Sequence, residues 1–172
     1  MIKKIVLVLV SAVVLIAGDF SLNKSKSEVY YEAKKDQFFS TYTILGLNKG
    51  LSGTLQKLPK GYRGVLNVNS FSFLTDDKRR DNNVKEHLNS DKHKLIVYRF
   101  ELHDNVAAGN MTINGVTKEI SFPVKMEEND VYLSVEGNIT IKYSDFDVET
   151  PSNLILSAHD DLVIGAKLHF NK

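Results

Sequence analysis

The dipeptide Asn114-Gly115, set between two stretches in which apolar and polar residues alternate, constrains the fold of this chain more than any other feature. A two-residue hairpin turn of type I′ needs positive φ at both central positions, and Asn and Gly tolerate that best. Such a turn also fixes the register. Ile113 then faces Val116, Met111 faces Lys118, Gly109 faces Ile120 and Ala107 faces Phe122, and the same face continues to Val124 and Met126. One face is apolar, while the other carries Asn110, Thr112, Thr117, Glu119, Ser121 and Lys125. Lys118, near the turn, can lay its stem along apolar surface and keep its ammonium in water. Pro123 has no N–H to give a ladder, which predicts an unpaired stretch or a bulge beside it.

The same alternation recurs along the chain. Strands are expected near 27–35, 51–57, 63–74, 94–103, 106–113, 116–126, 132–143 and 161–170, eight in all. In 63–74, Leu66 and Val68 fall on one face and Phe71 and Phe73 on the other, so a bulge near Asn69-Ser70 is expected. Gln37 to Thr43 reads as a short helical turn or irregular apolar plug ahead of a loop containing Gly46, Gly50 and Gly53. Asp77 to Lys92 is the helix candidate, with Val84, His87, Leu88 and Asp91 at helical spacing. Eight amphipathic antiparallel strands suit a sandwich or an up-and-down barrel. Long apolar inner faces on nearly every strand favour closure into an all-β, eight-stranded antiparallel barrel with one helix inserted between strands. Such a barrel is wide enough to be filled by side chains or to hold one small ligand. Gly109, Gly137, Ala107 and Ala166 on the inner list would leave room.

Composition narrows function. Of 172 residues, 42% are hydrophobic and 25% charged, which is ordinary for a globular domain. There is no Cys, so disulfides, thiolate nucleophiles, Cys-based metal sites and a lipoprotein anchor are excluded. Lys3 and Lys4 ahead of the apolar run Ile5 to Ala17 read as a secretory signal over 1–18, followed by a polar spacer, 19–26, and the folded domain, 27–172. The location expected is therefore periplasmic. Without Lys3 and Lys4 the chain has 20 basic and 21 acidic residues, which gives no electrostatic footprint for nucleic acid. Lys78-Arg79-Arg80, flanked by Asp76-Asp77 and Asp81, reads as a solvated loop. His87, His93, His103, His159 and His169 lack metal-ligand spacing, so no metal is expected. Asp160-Asp161 and Asp145/Asp147 read as turn and loop residues, with Asp145 bonding local backbone. No convergent acid, base and nucleophile set is evident, so the chain is not expected to be an enzyme.

Four stretches resemble the YceI-like proteins of bacterial periplasms. Gly109 to Val124, G-N-M-T-I-N-G-V-T-K-E-I-S-F-P-V, is close to that family's G-x-L-T-I-x-G-V-T-K-x-V-x-x-P-V. His87-Leu88-Asn89-Ser90-Asp91 is similar to its H-L-x-S-x-D, Ser72 to Thr75 to its S-x-x-T, and Ile141 to Val148, I-K-Y-S-D-F-D-V, to its I-x-R-S-D-F-G-I. The chain departs from the family at Val84-Lys85, where an Arg-Asp pair is usual, at Tyr143 for Arg, at Asp147 for Gly, and at Lys92-His93 for aromatic residues. The resemblance implies a lipocalin-like barrel with a helix over it, holding a long isoprenoid or similar amphiphile and needing no cofactor. The interior residues expected to contact such a ligand are Phe71, Phe73, Leu88, Phe100, Met111, Ile113, Ile120, Phe122, Val124, Ile141, Phe146 and Leu168. The other readings open to the sequence are a ligand-free interaction module and an accessory to an isoprenoid-modifying enzyme. A homodimer is left open.

Overall fold

The computed structural model describes residues 20–37, 39–149 and 156–172; the expected signal segment lies outside them. The strands are β1 (Phe20–Leu22), β2 (Glu28–Gln37), β3 (Ser40–Asn48), β4 (Leu51–Lys57), β5 (Tyr62–Asn69), β6 (Phe73–Leu74), β7 (Leu95–His103), β8 (Val106–Ile113), β9 (Val116–Glu128), β10 (Tyr132–Lys142) and β11 (Leu156–Asn171), with one α-helix, α1 (Lys78–His87), between β6 and β7. They make eight staves, because the first three are each broken in two: β1/β2, β3/β4 and β5/β6. The short strand β1 pairs with both β4 and β11, so β1-β4-β5-β7-β8-β9-β10-β11 closes an antiparallel barrel. Past the breaks, β2, β3 and β6 continue as a flap that stays bonded to β11 but leaves β7. Helix α1 lies over that gap.

Short polar side chains make the breaks tolerable, because each satisfies backbone groups that lose their ladder partners. Asn48, fully buried, donates from Nδ2 to the Asn69 carbonyl (2.8 Å) and accepts from the Gly50 N–H (2.8 Å). Ser70 donates to the His93 carbonyl (2.9 Å), and Ser27 accepts from the His169 N–H (2.9 Å). The bulge expected near Asn69-Ser70 is a 3-10 turn over Ser70–Ser72.

At the β8–β9 hairpin, φ is 50° at Asn114 and 80° at Gly115, and the pairing runs Ile113↔Val116, Met111↔Lys118, Gly109↔Ile120 and Ala107↔Phe122, as the sequence predicts. The Pro123 expectation also holds. Pairing between β9 and β10 extends from Glu128↔Leu133 to Val124↔Gly137 and stops there, one residue short of the proline. Helix α1 begins where Asp77 accepts the Arg79 N–H (2.8 Å), and the buried Asp81 anchors it by accepting from the Thr75 N–H and hydroxyl (2.7 Å each).

Four expectations are corrected. Within Gln37 to Thr43, Ser40 onward is strand β3 and not a helical turn; Tyr42 and Ile44 alternate with Thr41 and Thr43, a β-branched and aromatic pattern suited to a pleated surface. Phe38 lies outside the described residues. The segment 19–26, expected as a spacer, contains β1, whose Phe20 is 3% exposed and belongs to the core. Lys78-Arg79-Arg80 forms the first turn of α1 and not a loop, with Arg80 paired to Asp76 four residues back. Asp160 and Asp161 are in β11 at a bulge between Ala158 and Leu162.

Candidate functional site: a half-hollow barrel

The two halves of the barrel differ in how they are filled. Around the closed ring, Leu55, Leu102, Leu133 and Phe170 are at most 1% exposed and meet in a packed core with Phe20, Phe100 and Leu168. Toward the flap the interior is hollow. Its cavity has a volume of about 140 Å³. The walls are almost wholly hydrocarbon and aromatic: Val29, Leu66, Val68, Phe73, Ile96, Met111, Ile113, Phe122, Ile139, Ile141, Leu162 and Ile164, with Val84 and Leu88 from the helix side.

Of the interior residues read from sequence, Phe73, Leu88, Met111, Ile113, Phe122, Ile141 and Phe146 line this cavity. Phe100, Val124 and Leu168 are buried in the barrel without lining it, and Ile120 is half-buried against the core. Phe71 is corrected: it sits on the 3-10 turn, 36% exposed, because that turn rotates it away from the face of Phe73. Of the small residues expected to leave room, Gly137 and Ala166 line the cavity and Gly109 and Ala107 do not. A Cβ on Gly109 would lie 2.0 Å from the Arg99 carbonyl oxygen, and one on Gly137 would lie 2.9 Å from Val124 Cγ1 and 3.3 Å from Phe122 Cε2. Both glycines permit close approach of these neighbours.

Sequence reading missed the neck of the cavity. Tyr31, Val84, His87 and Tyr143 line both the apolar interior and an outer groove between α1 and the flap. The alternation Val29, Tyr31, Ala33 was the available signal for Tyr31, and Tyr143 stands where the family pattern has Arg. Burial pushes the Tyr31 phenol up to about 12, and burial pushes Tyr143 up as well, so both are neutral hydrogen-bond donors at ordinary pH. Deeper in, burial likewise raises Tyr98, whose hydroxyl donates to the Ile120 carbonyl (3.3 Å).

The end of the hollow half is closed by three loops whose key residues have positive φ: Asn89 (47°), Asn114 (50°) and Asp147 (50°). Asn89 Nδ2 donates to Asn114 Oδ1 (2.9 Å), and Asn114 Nδ2 donates to the carbonyls of Asp147 (2.8 Å) and Phe146 (3.3 Å). This ties the helix end and the hairpin to the Ser144–Phe146 turn, whose Phe146 ring, 1% exposed, stoppers the cavity. Asp160, and not Asp145, holds that turn: its carboxylate accepts from the Ser144 hydroxyl (2.7 Å) and N–H (2.9 Å), which hold it below the usual carboxylate range. Among the described residues, no group of three or more His, Asp or Glu side chains converges as a metal site would.

Comparison with known proteins agrees with this architecture. The chain is 27% identical to the UPF0312 protein of Serratia proteamaculans, over 87% of this chain and 89% of that one. BcnA of Burkholderia cenocepacia superposes with a TM-score of 0.71 at 20% identity, covering 86% of this chain and 98% of its own. A polyisoprenoid binding domain from Saccharophagus degradans, implicated in plant cell wall breakdown, superposes with a TM-score of 0.72 at 12% identity, covering 88% and 97%. The family model of the YceI-like domain matches residues 20–170, and with the closed eight-stave barrel, its covering helix and the Gly109–Val124 hairpin in register, this chain belongs to the YceI-like domain family.

Proposed function

We propose that the chain is a periplasmic carrier that holds an isoprenoid-type amphiphile in the hollow half of its barrel. The observation that carries this reading is an almost wholly apolar cavity of about 140 Å³ beside a packed core, in a barrel that could have been filled throughout. Each buried methylene contributes about 0.8 kcal/mol, so a five-carbon isoprene unit contributes up to roughly 4 kcal/mol before ordering costs. Such a tail needs no specific polar partner. The Saccharophagus domain's description as polyisoprenoid-binding supports the same ligand class, and Lys3-Lys4 with Ile5 to Ala17 supports export.

Mass spectrometry of an organic extract of the purified protein tests the reading, with Ile139→Trp as the partner experiment. Ile139 lines the cavity and pairs with Ile164 across β10 and β11. An indole there should displace the co-purified lipid while melting stays near wild type. In a filled core the same change would overpack and cost about 1–3 kcal/mol. That loss, in a protein that never carried lipid, would refute the carrier reading.

A further inference from the structure

An asparagine can accept an N-linked glycan where a hydroxyl residue stands two positions on, and the sequence holds three such triplets: Asn23-Lys24-Ser25, Asn110-Met111-Thr112 and Asn138-Ile139-Thr140. The fold separates them. Asn23 is occupied, because its Oδ1 accepts from the Ser25 hydroxyl (2.8 Å) and its Nδ2 donates to Asn171 (3.4 Å). Asn110 is exposed but lies in β8 with Arg99 opposite on β7 and Glu119 opposite on β9, and the Thr112 hydroxyl of its triplet is hydrogen-bonded to Thr117 (2.8 Å). In the third triplet Asn138 and Thr140 are both exposed, and neither side chain has a hydrogen-bond partner among the described residues.

The surroundings of Asn138 are open as well. Strand β10 is bonded to β11 at this height, but its pairing with β9 stops at Gly137↔Val124, one residue before Asn138, so one edge of the triplet is free. On the other side the cross-strand neighbour is Gly165, which has no side chain to crowd the amide. The space over Gly165 is taken by the ring of Tyr30, its partner on β2: a Cβ on Gly165 would lie 2.1 Å from Tyr30 Cζ. That ring ends one strand spacing, about 5 Å, from Asn138 and offers a first sugar a flat surface to pack against. Residues two apart on a strand share a face, so the exposed Glu136 puts a carboxylate beside the acceptor. Ser21 and Ala108 hold that position in the other two triplets.

We propose that Asn138 is the attachment site of an N-linked glycan. The proposal rests on the export half of the reading above, because the donor, a sugar chain on a prenyl diphosphate, meets its membrane-bound transferase outside the cytoplasm. In the transfer the Asn138 amide nitrogen bonds to C1 of the first sugar, the bond from C1 to the diphosphate oxygen breaks, the diphosphate leaves with the electron pair, and the amide gives up one proton to a base of the transferase. Glu136 offers a charge by which a basic transferase groove holds the segment, and the Thr140 hydroxyl offers a hydrogen bond that fixes the acceptor. Once attached, the glycan stands over the free edge of β10 and keeps other chains from pairing with it.

Intact-mass measurement and peptide mapping of the protein purified from its own host test this. The expected result is a processed chain heavier than its sequence by one glycan, carried on the peptide that contains Asn138. Asn138→Gln and, separately, Thr140→Ala should each return the mass to that of the bare chain, whereas Asn110→Gln should not. A processed chain of bare mass would overturn the glycan site and leave export and the carrier reading standing. A glycan that persists in Asn138→Gln would place the attachment elsewhere and overturn the assignment. A bare chain that still begins at Met1 would overturn the export reading and the site together.

Discussion

Replacing Asn114 with Asp isolates one hydrogen-bond donor at the closed end of the barrel. The new side chain is nearly isosteric, tolerates the positive φ of 50°, and can still accept from Asn89. What changes is the Nδ2 position, where an N–H pair that serves the carbonyls of Asp147 at 2.8 Å and Phe146 at 3.3 Å becomes a carboxylate oxygen aimed at them. Two bonds at about 0.5–1.5 kcal/mol each are lost, and the acceptors then face an anion, so the cost at neutral pH should be about 1–3 kcal/mol. For a chain of this size that corresponds to a Tm lower by roughly 2–12 °C. The sign with pH follows from the same geometry. Facing carbonyls raises the folded-state pKa of the new carboxyl, and the protonated form can donate again, so the deficit should shrink as pH falls through that raised value. Urea midpoints of wild type and Asn114→Asp, measured from neutral pH down to about pH 4, give both quantities. Equal midpoints at neutral pH would show that these bonds do not hold the three loops together. A deficit independent of pH would show that the donor is not the cause.

At the packed end, Glu128 accepts from the Tyr62 hydroxyl and binds Lys57 (3.0 Å) and Lys172 (3.4 Å). The Tyr62 bond first, then Lys57, holds its carboxyl below the ordinary 4.5, so its stabilisation is full above that value and lost as pH falls through the lower folded one. With a third of the side chain exposed, Glu128→Gln should cost no more than about 1 kcal/mol, and the difference in urea midpoint from wild type should vanish in acid; a difference that persists there would contradict the assignment. Gly61→Ala should cost at least about 1–3 kcal/mol, because φ is 75° and the Cβ would lie 1.9 Å from the Leu102 carbonyl oxygen. A thermal midpoint equal to wild type would mean the β4–β5 turn adopts another conformation.

Sequence periodicity carried most of the barrel because its signals are local. Asn114-Gly115 sets a turn and a register by itself, and β10 and β11 alternate without interruption over Leu133 to Ile141 and Leu162 to Phe170. Strand β3 was hidden because Phe38-Phe39 stands between β2 and β3 where Gly, Asn or Asp would have signalled a hairpin, and because Gly46 looks like a loop residue. A Cβ there would lie 2.1 Å from the Tyr31 ring, which packs across the strand pair. Strand β1 is three residues long and exists through β4 and β11, partners far away in sequence. The cavity was legible as an apolar interior but not in its position. Packing partners decide whether a small residue leaves a void: Gly137 borders the cavity, whereas at Gly109 the Arg99 backbone had already taken the space. The neck was missed since Tyr31 and Tyr143 sit 112 residues apart and come together only in the fold.

The end of pairing at Gly137↔Val124 has a mechanical consequence. An intact barrel is a hoop, and widening it means breaking ladder bonds around its whole height. Here the hoop is slit along the hollow half, with Val116 to Pro123 bonded on the β8 side and Asn138 to Lys142 on the β11 side. Girth on that side is set by the Phe146 ring and the few bonds of Asn114 instead of by the sheet. Widening the hollow half therefore breaks no ladder bonds between β9 and β10, whereas widening the packed half would.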